Sequence, residues 1–210
     1  MNAAQGTGLS ARLAEFVTGI PESGIPASVL DAAARVLLDA TGVMRAASAL
    51  SPEVLPFIGQ AIDGGAGPCT VLGTSHRVRA PLAALANGAM SHALDYEDAF
   101  DAAPVHPNAS LVPVVLALAQ SRGNVDGREL LAAIAVGCDV ACRIALSLRQ
   151  RMEDGGWYPP PILAAFGAVA GAARILRLSP RQLLDAWSML LLQNSCAGEI
   201  KYDRDTVIRA

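Results

Sequence analysis

Apolar residues recur every three or four positions along almost the whole chain. That period predicts helices over 10–19, 27–48, 51–63, 80–97, 110–121, 126–151, 161–177 and 180–197. Several starts have a chemical reason. Ser179-Pro180-Arg181-Gln182 sets Ser at the N-cap, Pro at the first helical position and Gln three residues after the cap. Asp126-Gly127-Arg128-Glu129 repeats this box with Asp as the cap, and Ser51-Pro52-Glu53 is a simpler start. Gly123 and the cluster Gly64-Gly65-Ala66-Gly67-Pro68 predict stops. After that cluster, Cys69-Thr70-Val71-Leu72 is the one run that reads as extended. Val136, Cys138, Val140, Cys142 and Ile144 run round helix 126–151, and a helix apolar on several faces belongs in the middle of a helical assembly. The expected fold class is therefore all-α, a multi-helix bundle. Residues 1–198 read as one helical domain and 199–210 as the start of a further element, with the chain as the first part of a longer protein.

Composition narrows the picture. The chain has 40 alanines among 210 residues, which favours helix over strand. It is 52% hydrophobic and 17% charged, which excludes a disordered chain. A net charge of -3 with 4% aromatic residues supplies neither the basic field nor the stacking platforms of a nucleic-acid binder. The mean hydropathy of +0.38 raises the question of a membrane. One long stretch without a charged residue, 155–173, carries Pro159, Pro160, Pro161 and four glycines. It reads as a buried helix of a bundle rather than a membrane span. Cys69, Cys138, Cys142 and Cys196 form no C-x-x-C pair, so they read as reduced and mostly buried, in a cytoplasmic protein. No basic flank followed by an apolar core opens the chain, so no signal peptide is read there.

Candidate chemistry gathers in 86–109, where a predicted helix with His92, Asp95 and Asp98 runs into a loop with Asp101 and His106. His92 and Asp95 are three apart and share a helix face. Asp95, Glu97, Asp98 and Asp101 place four acids at a helix C-terminus, where the dipole disfavours them. Two roles are open. An Asp held against a His can orient it as a general base near neutral pH. Alternatively, Asp95, Asp98 and Asp101 at i, i+3 and i+6 could bind Mg²⁺, as helical prenyl-diphosphate enzymes do. That second role wants another acidic helix, and the remaining acid pair, Glu153-Asp154, reads as loop. Elsewhere, His76, Arg77 and Arg79 read as exposed loop, and Trp157, Trp187 and the methionines as core. Cys138 and Cys142 lack further ligands for a metal site. The glycine clusters have no Lys-Ser/Thr after them, so no nucleotide cofactor is implied.

The same segment resembles the MmgE/PrpD family of 2-methylcitrate dehydratases, cis-aconitate decarboxylases and iminodisuccinate epimerases. The resemblance rests on Asn87-Gly88, on His92-Ala-Leu-Asp95-Tyr96-Glu97-Asp98 and on His106-Pro107-Asn108-Ala109. Flanking text agrees: Ile25-Pro26 with Leu37-Leu38-Asp39, Gly73-Thr74 with Ala80-Pro81, and Gly156-Trp157-Tyr158-Pro159 with Ala165-Phe166-Gly167. The resemblance implies a large helical domain, a smaller lid domain outside these residues, a homodimer, and an active site between the two domains. It implies a small di- or tricarboxylate substrate, handled without a cofactor.

Carried over by position, Asp95 and His106 match the family's catalytic-site Asp and loop His. Ala99 replaces a frequent Thr, and Tyr158 replaces a second His. Where the family has a late Lys, Arg209 stands in register, with Lys201 nearby. Tyr158, Lys201 and Arg209 are thus expected to bind substrate. Dehydration, decarboxylation or epimerisation next to a carboxylate is the expected reaction. The changed positions leave open an inactive relative that serves dimerisation or partner binding.

Overall fold

The structure is a computed structural model and describes residues 8–202. Arg209, like Val207 and Ile208 of the expected further element, lies outside the described residues. The helices are α1 (Leu9–Gly19), α2 (Ala27–Leu50), α3 (Leu55–Asp63), α4 (Ala80–His92), α5 (Pro107–Arg122), α6 (Gly127–Leu146), α7 (Pro159–Leu176) and α8 (Pro180–Leu191). Between α3 and α4, β1 (Ala66–Thr70) pairs antiparallel with β2 (Arg77–Val78). The fold is all-α apart from this small hairpin.

Capping follows local chemistry at two starts. The Ser179 side chain accepts from the N–H of Gln182, whose side chain returns to the N-cap, and the box is complete. Asp126 accepts from the N–H of Glu129 at 2.8 Å, but the Glu129 carboxylate turns instead to Arg177 at 3.3 Å. Ser51 does not cap. Its hydroxyl donates to the Glu53 carboxylate at 2.7 Å, so 51–63 begins with a 3-10 turn before α3. Gly123 closes α5 in the left-handed conformation, as expected.

The core has two main parts. Met44, Ile58, Val71, Met90, Leu111 and Ile134 join α2, α3, the hairpin, α4, α5 and α6. Val17, Leu30, Val140, Ala173, Leu183 and Trp187 join α1 and α8 to α6 and α7. Arg174 of α7 donates to the carbonyls of Val17 and Ile20, both at 2.9 Å, and so ties down the end of α1. Trp187 is core, with its indole N–H on the Phe166 carbonyl at 3.2 Å. Trp157 and Met189 are not core. They stand exposed, Trp157 because it sits in an extended bridge to Ala197.

α6 and α7 cross closely because small residues line the contact. A Cβ on Gly167 would stand 2.4 Å from the Gly137 carbonyl oxygen and 2.8 Å from the Ala141 Cβ. α7 is long and apolar enough to cross a membrane by composition, and 56% of it is buried among its neighbours here.

The helices differ from the periodicity at several ends. α4 stops at His92 rather than at 97, because the chain turns left-handed at Asp95. α5 begins three residues before 110, for a reason that lies in the site itself. α6 ends at Leu146, where the Ser147 hydroxyl and N–H fold back onto the Ile144 carbonyl. α8 ends at Leu191, where the N–H groups of Gln193 and Asn194 close on the Leu190 carbonyl.

Gly167→Ala forces α6 and α7 apart, since the obstructing atom is backbone. The expected loss is roughly 1–3 kcal/mol, read as a lower urea midpoint. An unchanged midpoint would contradict the close crossing.

Candidate active site

α4 delivers the first site residue, and Asn87 fixes α4. Asn87 is buried; its amide donates to the Thr70 carbonyl at 3.0 Å and its oxygen accepts from the Leu72 N–H at 2.9 Å. The Asn of the Asn-Gly motif therefore stitches the helix to the end of β1. One turn further on, His92 is 3% exposed. The Asp95 N–H then closes on the His92 carbonyl at 3.1 Å, and Asp95 takes φ +52°, a conformation Asp tolerates better than most residues.

That reversal folds Glu97 back beneath His92. His92 Nδ1 lies 2.6 Å from Glu97 Oε1, and His92 Nε2 lies 3.9 Å from Asp95 Oδ1. The 2.6 Å contact is off the line of the ring N–H, so both ring nitrogens and Glu97 Oε2 lack an aligned hydrogen bond. Glu97 Oε1 also faces His106 Nδ1 at 4.0 Å. His92, Asp95 and Glu97 each put one donor atom within 4.8 Å of the others, a set that could hold a divalent cation.

Asp98 organises the other half. Its carboxylate accepts from the Asn108 N–H at 3.2 Å and from the Asn108 amide at 2.7 Å. Its carbonyl accepts from His106 Nδ1 at 2.9 Å. His106 is the N-cap of α5 but makes no side-chain cap bond. The N–H two residues on is satisfied by Asp98, ten residues back in sequence. A carboxylate there also meets the positive end of the helix dipole. This remote cap starts α5 at Pro107. Because Nδ1 must donate to a carbonyl, neutral His106 carries its proton on Nδ1 and leaves Nε2 as an acceptor. Between the two halves, Val105 is 1% exposed and plugs against Ala141, Ala145 and Leu163.

The carboxyls respond oppositely to folding. Burial pushes Glu97 up, but the His92 contact, its own backbone amide and the two imidazoles together bring it below the ordinary value. Burial dominates at Asp98 and raises it, with Asn108 and His106 opposing and Asp39 of α2 adding to the rise. Behind Asn108, the Cys138 thiol is raised by its hydrogen bond to Cys142 and by burial.

The expected residues are not all brought together. His106 is 30% exposed and Asp95 77% exposed, and Glu97 and His92 lie between them. The Mg²⁺ reading fails on geometry. α4 ends before Asp95, so Asp95, Asp98 and Asp101 share no helical face, and Asn108 occupies the Asp98 carboxylate. Tyr158 and Lys201 lie on a second segment. The Tyr158 N–H donates to the Cys196 carbonyl at 2.9 Å, and Gly198 pairs with Gly156 at 2.7 Å, which leads to Lys201. Grooves of about 440 and 830 Å³ meet at Arg149, Gln150, Arg151 and Met152. Another of about 500 Å³ runs along α2 past Leu38, Leu50, Leu94 and Tyr96. Neither Asp95 nor His106 lines these three.

Asp98→Ala removes the remote cap and is expected to lower stability by about 0.5–2 kcal/mol in urea denaturation; no loss would show that α5 starts without it. A carboxyl lowered on folding stabilises the fold above its unfolded pKa, and that contribution fades as pH falls through the folded value. The stability gap between wild type and Glu97→Gln is therefore largest near neutrality and shrinks below about pH 4. Urea curves at pH 7 and pH 3.5 check this, and a constant gap would contradict it.

Residues 11–207 match the family model of the MmgE/PrpD N-terminal domain. A cis-aconitate decarboxylase-like protein of Aspergillus oryzae is 33% identical over 184 residues, covering 82% of this chain and 37% of that protein. A cis-aconitate decarboxylase of Aspergillus terreus is 26% identical over 197 residues, 89% of this chain and 39% of that protein. The human cis-aconitate decarboxylase is 31% identical over 109 residues, 50% of this chain and 22% of that protein. The chain thus spans less than two-fifths of the length of these relatives. With a match over nearly all of its residues, the chain belongs to the MmgE/PrpD family.

Proposed function

We propose that the protein is a lyase- or isomerase-type enzyme acting on a small di- or tricarboxylate, with His106 as the proton-transfer group. The observation that carries this reading is the His106 Nδ1 bond to the Asp98 carbonyl at 2.9 Å. It turns a loop histidine into an oriented base or acid with Nε2 available. Dehydration removes a proton next to a carboxylate, decarboxylation delivers one to the carbon that loses CO₂, and epimerisation removes and returns one. All three need one group to exchange a proton with carbon.

Asp95 stands in solvent beside the buried His92 and takes the role of a hydrogen-bond partner to a substrate hydroxyl or acid. Tyr158, Lys201 and Arg209 hold substrate carboxylates. An Arg in place of Lys binds a carboxylate in two-point fashion but cannot take a proton, so binding is its part. The printed names of the relatives favour cis-aconitate as the first substrate to try. A homodimer in the cytoplasm, working without a cofactor, completes the proposal.

The intact protein is incubated with cis-aconitate, citrate, 2-methylcitrate and iminodisuccinate and followed by proton NMR. One of them is expected to lose CO₂ or water or to epimerise. His106→Ala is expected to lower kcat by roughly 10²–10⁴-fold. Retained kcat overturns the role of His106. No turnover and no thermal stabilisation by any of the four favours an inactive binding protein and overturns the enzyme reading.

A further inference from the structure

We propose that His92 and Glu97 are positioning residues, a buried link that sets Asp95 on one side and His106 on the other. This rests on the enzymatic reading above for its purpose, but not for its geometry. The link runs from Asp95 Oδ1 to His92 Nε2 at 3.9 Å, from His92 Nδ1 to Glu97 Oε1 at 2.6 Å, and from Glu97 Oε1 to His106 Nδ1 at 4.0 Å. Its middle is dry and its ends are wet. The His92 and Glu97 side chains are 3% and 6% exposed, against 77% for Asp95 and 30% for His106.

Stability alone does not call for such a pair, although the ionised Glu97 is favoured once the fold is formed. Burying two ionisable groups carries a desolvation penalty that two packed apolar side chains would avoid. What the pair supplies is placement. Glu97 can face both imidazoles only because the chain reverses at Asp95, which holds φ +52°. The same reversal sets Asp95 over the other edge of His92. One carboxylate therefore fixes the turn that presents Asp95 and puts negative charge beside the His106 nitrogen that donates to Asp98. An ion between His92 and Glu97 would hold its ligand atoms about 3 Å apart or more. At 2.6 Å the two side chains are in direct contact.

Asp98 faces the His106 end of this link, and further titratable groups face Asp98 in turn. They are Asp39 from α2 and Cys138 and Cys142 from α6.

The test starts with ¹⁵N-histidine labelling of the chain. Long-range ¹H–¹⁵N spectra report which nitrogen of each ring carries a proton. His106 is expected to show the Nδ1–H form in the wild type. In Glu97→Gln, the Nδ1 signals of both His92 and His106 are expected to shift, while exposed His76 near the hairpin stays put. Glu97→Asp keeps the charge on a shorter arm and should give intermediate shifts, which also serves if Glu97→Gln does not fold. In the intact protein, Glu97→Gln should lower kcat by roughly 10-fold and move the pH profile, with KM within about twofold.

If only His92 responds in both variants and the pH profile keeps its position, the pair is structural and the proposal falls. If stoichiometric Zn²⁺ or Mn²⁺ shifts both ring signals of wild type, the cluster is a metal site and the proposal also falls. If the wild type turns over nothing, the enzymatic reading fails, and the spectra still decide whether the link exists.

Discussion

The geometry of the site depends on one hydrogen-bonded carboxylate, that of Asp98. It satisfies the backbone N–H of Asn108, one of the orphaned donors of α5, and the Asn108 amide, while its own carbonyl holds His106 Nδ1. A single residue thereby fixes where a central helix begins and which tautomer its N-cap histidine adopts. The bond spans a loop that folds on itself, with the Ala103 N–H on the Phe100 carbonyl and the Val105 N–H on the Ala103 carbonyl. Phe100 and Val105 pair at 3.1 Å, and Val105 enters the core beneath. Without the carboxylate, that loop would keep its own backbone bonds and the Val105 plug but lose its tie to α5 at Asn108.

The rest of the bundle makes the site possible by being rigid behind it. α6 and α7 approach until Gly137 and Gly167 touch through backbone, and Leu111 of α5 fills the space that side chains there would have taken. Three helices are thus locked at the base on which the His106 loop rests. Asn87 does the same for α4 from the side of the hairpin. Both candidate groups are carried on segments whose ends are tied, as a preorganised constellation requires.

Much of this was legible from residue order, and the illegible part has a common cause. The number of helices and their centres followed from a period of three to four and from abundant alanine. Caps made within three residues were readable, as at Ser179. The start of α5 was not, because its cap comes from Asp98, ten residues away, and no local rule reports it. The end of α4 was misplaced for a related reason. His92 and Asp95 suit a helical face by spacing, yet Asp95 is already in the reversal. Glu97 passed as one acid among four, since only the fold shows it enclosed between two imidazoles. The motif itself marked Asn87 without giving its purpose, and a buried Asn with both amide ends satisfied supplies it.

The plug at Val105 has one more consequence. It seats on Ala141, Ala145 and Ala164, and the depth of that seat is set by three methyl groups on α6 and α7. Exchange of any of them for a bulkier residue would raise the loop and tilt the imidazole that follows. Divergence at those three positions would therefore reorient His106 from beneath, through the packing under its loop, with His106 and its hydrogen-bond partners left as they were.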